Sequence, residues 1–182
     1  MEIVIVVVIV TLLVLWVISC QRKLAVMDEN INNAMTQIGV QISSRFDALI
    51  ALLDLMKEYA GNESQTLIES VKSRRSVINA TSTPEDVLKQ EGIISEALDL
   101  ISMVTEQYPE LKANENYIKC MNAMDSYEKM VRTSRLIYND SVTKLNRELR
   151  MFPTLLLAGV FDFRQRDYLE AVENKANMPN MR

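Results

Sequence analysis

The sequence contains no histidine, only two cysteines, and few glycines, prolines and aromatic residues. Of its 182 residues, four are glycine, four are proline and 6% are aromatic. An all-β sandwich or barrel needs a turn about every 8–12 residues. So few turn-forming residues therefore argue against an all-β fold, and the length suits one domain of ordinary size.

The missing histidines remove most of the familiar catalytic and metal-binding arrangements. His-based acid–base catalysis, Ser–His and Cys–His pairs and most zinc or di-iron sites are excluded. Cys20 and Cys120 cannot supply a disulfide framework or a four-thiolate site. The common phosphate-binding and hydrolase motifs are absent as well. We therefore expect a protein that is not an enzyme and has no cofactor and no metal.

The charge balance is mildly acidic. There are 20 basic and 24 acidic residues, for a net charge of −4, and the pI is near 5.0. Nucleic-acid-binding proteins present a basic stripe or patch instead. No nucleic-acid partner is expected.

The chain begins with an uninterrupted apolar segment. Residues 3–20 carry no charge, and only Thr11 and Ser19 have hydroxyl side chains. At about 1.5 Å per residue, a helix over this segment measures roughly 27 Å, close to the ~30 Å hydrocarbon core of a bilayer. Trp16 lies near the end of the segment, where an indole favours the membrane interface. Residues 1–23 are therefore predicted to form a transmembrane anchor.

The residues that flank this segment bear on its fate. A cleaved signal peptide has a basic start, whereas Glu2 is acidic. Arg22 and Lys23 follow the segment, and the positive-inside rule keeps such residues cytoplasmic. Residues 17–20 (VISC) resemble a bacterial lipobox, in which Cys20 would be lipidated and the domain would lie outside. We favour an uncleaved single-pass anchor with a cytoplasmic domain, and the lipoprotein remains the alternative.

Apolar residues recur at helical spacing through the rest of the chain. Gly61, Pro109 and Pro153 are predicted to end helices, whereas Thr83 and Asn114 are predicted N-caps. The predicted helices cover about residues 31–60, 63–78, 84–108 and 115–152. These features predict an all-α fold, with an antiparallel bundle of about four helices over residues 24–163, its first and last helices long. A polar tail, residues 164–182, is expected to fray.

Residues 155–161 (LLLAGVF) form a second apolar run, which is too short to span a membrane. The run could pack on the end of the bundle or dip into the bilayer interface beside the anchor. Packing is the commoner outcome and is the one we expect.

Polar residues interrupt or flank the apolar stripes of the two long helices. They could fix helix register, for example through an Arg–Asp pair between the first and fourth helices, or they could line a small pocket. We favour the register role. The residues are Arg45, Asp47, Arg135, Tyr138, Asn139 and Asn146.

Three stretches resemble signatures of the LemA family of bacterial membrane-anchored proteins. Residues 41–47 (QISSRFD) and 57–60 (KEYA) resemble its VQLKRRYDLIPNLV…VKGYA signature. Residues 106–114 (EQYPELKAN) are similar to its EAYPDLKAN turn. Residues 135–142 (RLIYNDSV), followed by Asn146 and then Phe-Pro, resemble its ARRFYNDAV…YN…FP helix. The resemblance covers roughly residues 25–169, with the stretches in the family's order.

The sequence departs from the family pattern at a few positions. Ile50 and Ala51 replace the Pro-Asn of the first signature, so we expect a straighter first helix. Met35 replaces a tryptophan, and Asp162 replaces a glycine. The resemblance implies an all-α bundle at the bacterial cell membrane. It implies no reaction, catalytic residue or cofactor, so no site is transferred.

Three functional hypotheses follow. The leading one is a non-enzymatic, membrane-tethered interaction or scaffold module at the bacterial cell envelope, with an unknown protein partner. The alternative is a membrane-associated hydrolase or ligand-binding protein that uses a pocket around Arg45, Asp47, Arg135 and Tyr138. The third is membrane shaping by self-association, which leaves a homo-oligomer open.

Overall fold

The computed structural model describes residues 1–169, apart from the side chains of residues 58, 60 and 62–64. This part of the chain contains helices and no strand, which confirms the predicted all-α class. The helices are α1 (Glu2–Ala60), α2 (Asn62–Arg74), α3 (Pro84–Gln107), α4 (Pro109–Lys112), α5 (Glu115–Arg150) and α6 (Thr154–Val160).

Helix α1 joins the apolar segment to the bundle without a break. The chain has no proline before Pro84, so nothing in this region removes a backbone donor. The large apolar side chains of residues 3–18 are exposed apart from the half-buried Val17, whereas one face of α1 is buried from Leu24 onward. Of the helices in residues 1–169, α1 alone is long and apolar enough to cross a membrane by length and composition. Its 59 residues measure roughly 88 Å.

Helices α1 and α5 run antiparallel along the core. Lys23 of α1 pairs with Glu148 of α5 at 2.8 Å, and Arg45 of α1 pairs with Glu128 of α5 at 2.8 Å. Helices α2 and α3 also pack on α1 and complete the core. Its fully buried side chains include Phe46, Leu49, Leu53, Ile94, Val142 and Leu145.

Local signals place most helix ends where the sequence predicts them. Thr83 forms a capping box with Asp86, Pro84 occupies the first turn of α3, and Asn114 caps α5. Gly61 has φ 55° and ψ −126°, a conformation that suits glycine, and it ends α1. Asp162 has φ 55° after α6, at the position where the family signature has glycine.

Helix α2 ends at Arg74, earlier than predicted, and an extended segment follows. Gln90 of α3 accepts a hydrogen bond from Ser76 N–H and donates to the Arg74 carbonyl, which satisfies the freed backbone. The segment then crosses α1 at Gly39. A Cβ atom there would clash with the carbonyl oxygen of Ile78, so only glycine allows this approach.

The short elements α4 and α6 were not predicted as helices. Helix α4 is one turn in the Pro109 connection, and its Leu111 is buried. In α6, the residues that pack inward are the small Thr154 and Ala158, while Leu155, Leu156 and Val160 are exposed. The expected packing on the bundle end is therefore made by the small residues of the run and not by its large ones.

Candidate functional site

Two of the predicted polar residues lie in a charge cluster between α1, α3 and α5. Arg45 donates to Glu128 at 2.8 Å, and Arg135 pairs with Glu91 of α3 at 2.9 Å. The Arg45 side chain is 8% exposed, and those of Arg135 and Glu91 are 19% and 17% exposed. Three helices therefore contribute paired charges to this cluster, and the exposed Arg132 lies 3.9 Å from Glu128 as a further cation.

Burial has the largest effect on the pKa of Glu91 in this cluster. It raises the pKa of Glu91, and Glu128 adds to that effect, while Arg135 and then Arg45 act to lower it. The Arg45 Nε is buried and has no hydrogen-bond acceptor among the described residues. A buried pair of this kind contributes little net stability, but removal of one partner is costly. The cluster is suited to fixing helix register.

Asp47 lies on a different side of α1. It accepts a hydrogen bond at 2.7 Å from Arg75, which follows α2, and Arg75 also donates to the Ser43 hydroxyl. The Arg75 guanidinium sits 5.5 Å from the centroid of the Phe46 ring, within cation–π range. Asp47 therefore pairs α1 with the segment after α2, whereas α5 supplies the partner of Arg45.

Asp47 also lines a surface groove between α1 and α5. The groove has a volume of about 320 Å³. Burial raises the pKa of the Cys120 thiol in its wall, so this thiol is protonated at neutral pH. That protonation state does not favour a nucleophilic role. The lining residues are Ser44, Asp47, Ala48, Lys119, Cys120, Ala123 and Tyr127.

Asn139 and Asn146 hold the chain that follows α6. The Asn139 amide donates to the Leu169 carbonyl and accepts from the Leu169 N–H, both at 2.9 Å. The Asn146 amide bonds Arg166 in the same two ways, again at 2.9 Å. We call these two pairs the asparagine clamps. Each side-chain amide bonds both the N–H and the carbonyl of one residue, as a neighbouring β-strand would.

The spacing of the clamps matches an extended chain on a helix. Asn139 and Asn146 are two turns apart, about 10.5 Å along α5. Arg166 and Leu169 are three residues apart, about 10 Å in an extended chain. Tyr138 donates to the Asp167 carbonyl at 3.0 Å between them. Residues 164–169, which the sequence predicts to fray, therefore lie along α5, and the rest of the predicted tail lies outside the described residues.

Side-chain contacts also fasten this segment to the bundle. Leu169 is buried. Arg166 donates from Nε and Nη2 to one carboxylate oxygen of Asp28 in α1, at 3.0 and 2.8 Å. The segment thus bridges the two long helices. Burial raises the pKa of Tyr138, which keeps its hydroxyl a donor at neutral pH.

Cys20 is buried where the exposed apolar part of α1 ends. Its thiol lies 3.7 Å from the Thr154 hydroxyl oxygen, so the first turn of α6 covers it. Thr154 also donates to Glu148, the partner of Lys23.

The candidate residues thus fall into separate groups. Arg45 and Arg135 share the charge cluster, Tyr138 and Asn139 hold the C-terminal segment, and Asp47 lines the groove. Sequence reasoning missed Asp28, Glu91 and Glu128. One available signal was the heptad spacing of Glu128 and Arg135, which places both on one face of α5.

Comparison with known proteins agrees with the resemblance carried by the motifs. The LemA family matches residues 34–182. A "Protein LemA" from Metamycoplasma hominis is 28% identical over 138 residues, or 74% of this chain and 62% of that protein. The chain therefore spans less than two thirds of that relative's length. Because the family match extends over well more than half of the sequence, the chain belongs to the LemA family.

Proposed function

We propose that this LemA-family protein is a non-enzymatic interaction module tethered to the bacterial cell membrane by the N-terminal part of α1. The observation that carries the proposal is the continuity of α1, in which exposed apolar side chains precede a face buried in the bundle core. The apolar segment and the first helix of the bundle are one continuous helix, so a membrane that takes up the segment also holds the bundle.

The apolar exposure is too large for the protein to leave uncovered. Burial of one Val, Leu or Ile side chain is worth about 1.5–3 kcal/mol, so burying the apolar residues of 3–18 is worth on the order of 20 kcal/mol. That exceeds the typical ~5–15 kcal/mol stability of a whole domain. A bilayer is the environment that supplies such burial along the full circumference of a helix.

The contacts of the polar residues support an interaction role over catalysis. The charge cluster and the asparagine clamps engage groups within the bundle, in contacts that fix register and hold a segment. The surfaces left open include the groove between α1 and α5. Arg22 and Lys23 after the apolar segment favour a cytoplasmic bundle.

Tethering is tested by alkaline carbonate extraction of membranes from bacteria that express the full chain. We expect the native protein to remain in the pellet and the Val8→Arg/Leu12→Arg variant to be released. The matched control is Met130→Arg/Leu136→Arg, which places the same two charges at exposed apolar positions of α5. Release of the native protein would contradict tethering.

The side of the membrane is tested with a membrane-impermeant thiol reagent. Ala113→Cys, in the exposed turn before α5, is placed in a Cys20→Ser/Cys120→Ser background and, in parallel, with Cys20 retained. Labelling only after lysis is expected for a cytoplasmic bundle. Labelling of intact cells, or of spheroplasts where an outer membrane exists, would place the bundle outside and favour lipidation of Cys20.

The interaction role is tested by photo-crosslinking in cells. A photoreactive residue at Lys119 or Tyr127, in the groove wall, is expected to give a reproducible adduct with a distinct protein. The matched position is Lys144, which is exposed on α5 away from the groove. No reproducible adduct from either groove position would contradict the proposal that this groove receives a partner.

The groove also supports a second candidate, a ligand-binding protein or membrane-associated hydrolase, because Asp47 lies in it beside Cys120 and Tyr127. A small molecule seated there would shield the Cys120 thiol. This candidate predicts that the small-molecule fraction of a cell extract slows alkylation of Cys120, and that Asp47→Asn reduces the protection. Unchanged alkylation would count against it.

A further inference from the structure

Helix α6 and its flanking residues present an exposed apolar surface. In the fold, the small Thr154 and Ala158 face inward and the large residues face outward. A surface helix of a soluble protein has the opposite arrangement, with its large apolar residues against the core. We call this surface the α6 apolar patch. It consists of Met151, Phe152, Leu155, Leu156, Val160 and Phe161, all of which are exposed.

The patch lies at one defined level of the molecule. The Thr154 hydroxyl oxygen is 3.7 Å from the Cys20 thiol, and Glu148, which accepts from Thr154, pairs with Lys23. These contacts place α6 beside the turn of α1 in which the exposed apolar stretch ends, just after Ile18. The patch therefore continues the apolar surface of α1 sideways at the boundary between anchor and bundle.

Basic side chains accompany the patch. Arg147 and Arg150 lie in the last turn of α5, and Arg164, which pairs with Asp162 at 3.0 Å, follows α6; all three are exposed. Arg22 and Lys23 stand at the same level of α1. Apolar residues flanked by exposed arginines suit the boundary between acyl chains and anionic headgroups.

We propose that the α6 apolar patch is a second membrane contact, inserted into the interfacial layer of the same bilayer that holds the N-terminal part of α1. This inference rests on the tethering proposed above. The anchor sets the depth of the bundle, and the patch fixes its rotation about α1. The side of the bundle that carries α6 then faces the lipid, and the opposite side faces away.

The test uses the full chain in nanodiscs of phosphatidylcholine and phosphatidylglycerol. Single cysteines in a Cys20→Ser/Cys120→Ser background carry an environment-sensitive fluorophore, and doxyl-labelled lipids serve as quencher. The probe position is Leu156→Cys. The matched control is Leu136→Cys, because the two leucines are similarly exposed, at 65% and 67%. From the α1–α5 pairing, residue 136 lies opposite about residue 36 and so roughly 24 Å beyond Cys20. Trp16→Cys reports on the anchor itself.

The expected result is strong quenching at positions 16 and 156, with quenching at 156 several-fold greater than at 136. Quenching at 16 together with equal, weak quenching at 156 and 136 overturns the patch proposal and leaves tethering intact. Absence of quenching at 16 overturns tethering and the patch with it. A blue-shifted but unquenched probe at 156 means that protein, such as a second copy, covers the patch, and this also overturns the proposal.

Discussion

At the scale of single residues, the close approach of the chain to Gly39 is a demanding feature of the fold. The carbonyl oxygen of Ile78 occupies the space that a Cβ would need, and both groups belong to the backbone, so neither can move by a rotamer change. Ile78 itself is buried beside α1. The loop after α2 therefore depends on the absence of a side chain at position 39.

We predict that Gly39→Ala destabilises the bundle by about 1–3 kcal/mol, because the segment after α2 must move away from α1. Denaturant unfolding of the full chain in detergent measures this loss. Gly92→Ala is the matched control, since Gly92 lies inside α3 and a Cβ there meets nothing within 4 Å. It is expected to stabilise by about 0.5–1 kcal/mol through helix propensity. Equal effects of the two substitutions would refute the steric argument.

Arg135 and Glu91 give a prediction that depends on pH. Arg135→Met leaves the Glu91 carboxylate buried without its main opposing charge, so we expect a loss of roughly 2–4 kcal/mol at neutral pH. The pKa of Glu91 is already raised in the fold, and loss of Arg135 raises it further. Burial of the neutral acid costs less, so the loss shrinks as the pH falls toward the ordinary value of 4.5.

Thermal unfolding of both proteins between neutral and mildly acidic pH measures this effect. Arg132→Met is the control on the same helix, because it removes a cation that is 79% exposed and lies 3.9 Å from Glu128 at the edge of the same cluster. It should change stability by no more than about 0.5 kcal/mol at any pH. A loss in Arg135→Met that stays constant with pH would show that Glu91 is not responsible.

At the scale of elements, the asparagine clamps bind a segment by its backbone. Each clamp makes a donor and an acceptor contact to one residue, so the side chains of the bound segment matter less than its register on α5. Leu169 and Arg166 then add one buried side chain and one ion pair.

We predict that Asn139→Ala/Asn146→Ala detaches residues 164–169, so that the backbone at Arg164 and Arg166, whose side chains are already exposed, can enter the active site of trypsin. Each lost clamp leaves polar groups without partners, at a cost of roughly 1–3 kcal/mol. Limited proteolysis of the full chain in detergent should therefore show faster cleavage at these arginines. The control variant Asn122→Ala, at an exposed position of the same helix, should be cleaved at the native rate. An unchanged rate in the double variant would mean that other contacts suffice.

The sequence predicted the elements better than their contacts. Caps such as Thr83 and Asn114 are local signals, readable within four residues. The partner of Arg45 is set by how α1 and α5 rotate against each other, so Glu128 could not be chosen over an aspartate beforehand. The end of α2 depends on Gln90, far along the chain, and the held segment depends on asparagines on another helix.

At the scale of the whole molecule, α1 should behave as one rod. Spin labels at Leu13 and Val40, both exposed on α1, should lie about 40 Å apart with a narrow distance distribution, because 27 residues of helix separate them. Arg22→Pro should broaden the distribution, since a mid-helix proline kinks or breaks the helix. Pulsed electron–electron double resonance in nanodiscs, in the cysteine-free background, measures the distance distributions of the native chain and of the proline variant. A broad distribution in the native chain would show a hinge.

A rod of this kind converts small angles into large displacements. The part of α1 beyond Cys20 is roughly 60 Å long, so a change of about 10° in the tilt of its apolar part would carry the Gly61 turn sideways by about 10 Å. Transmembrane helices change tilt when bilayer thickness changes. In the proposed tethered state, the far end of the bundle would therefore move sideways when the thickness of the surrounding bilayer changes.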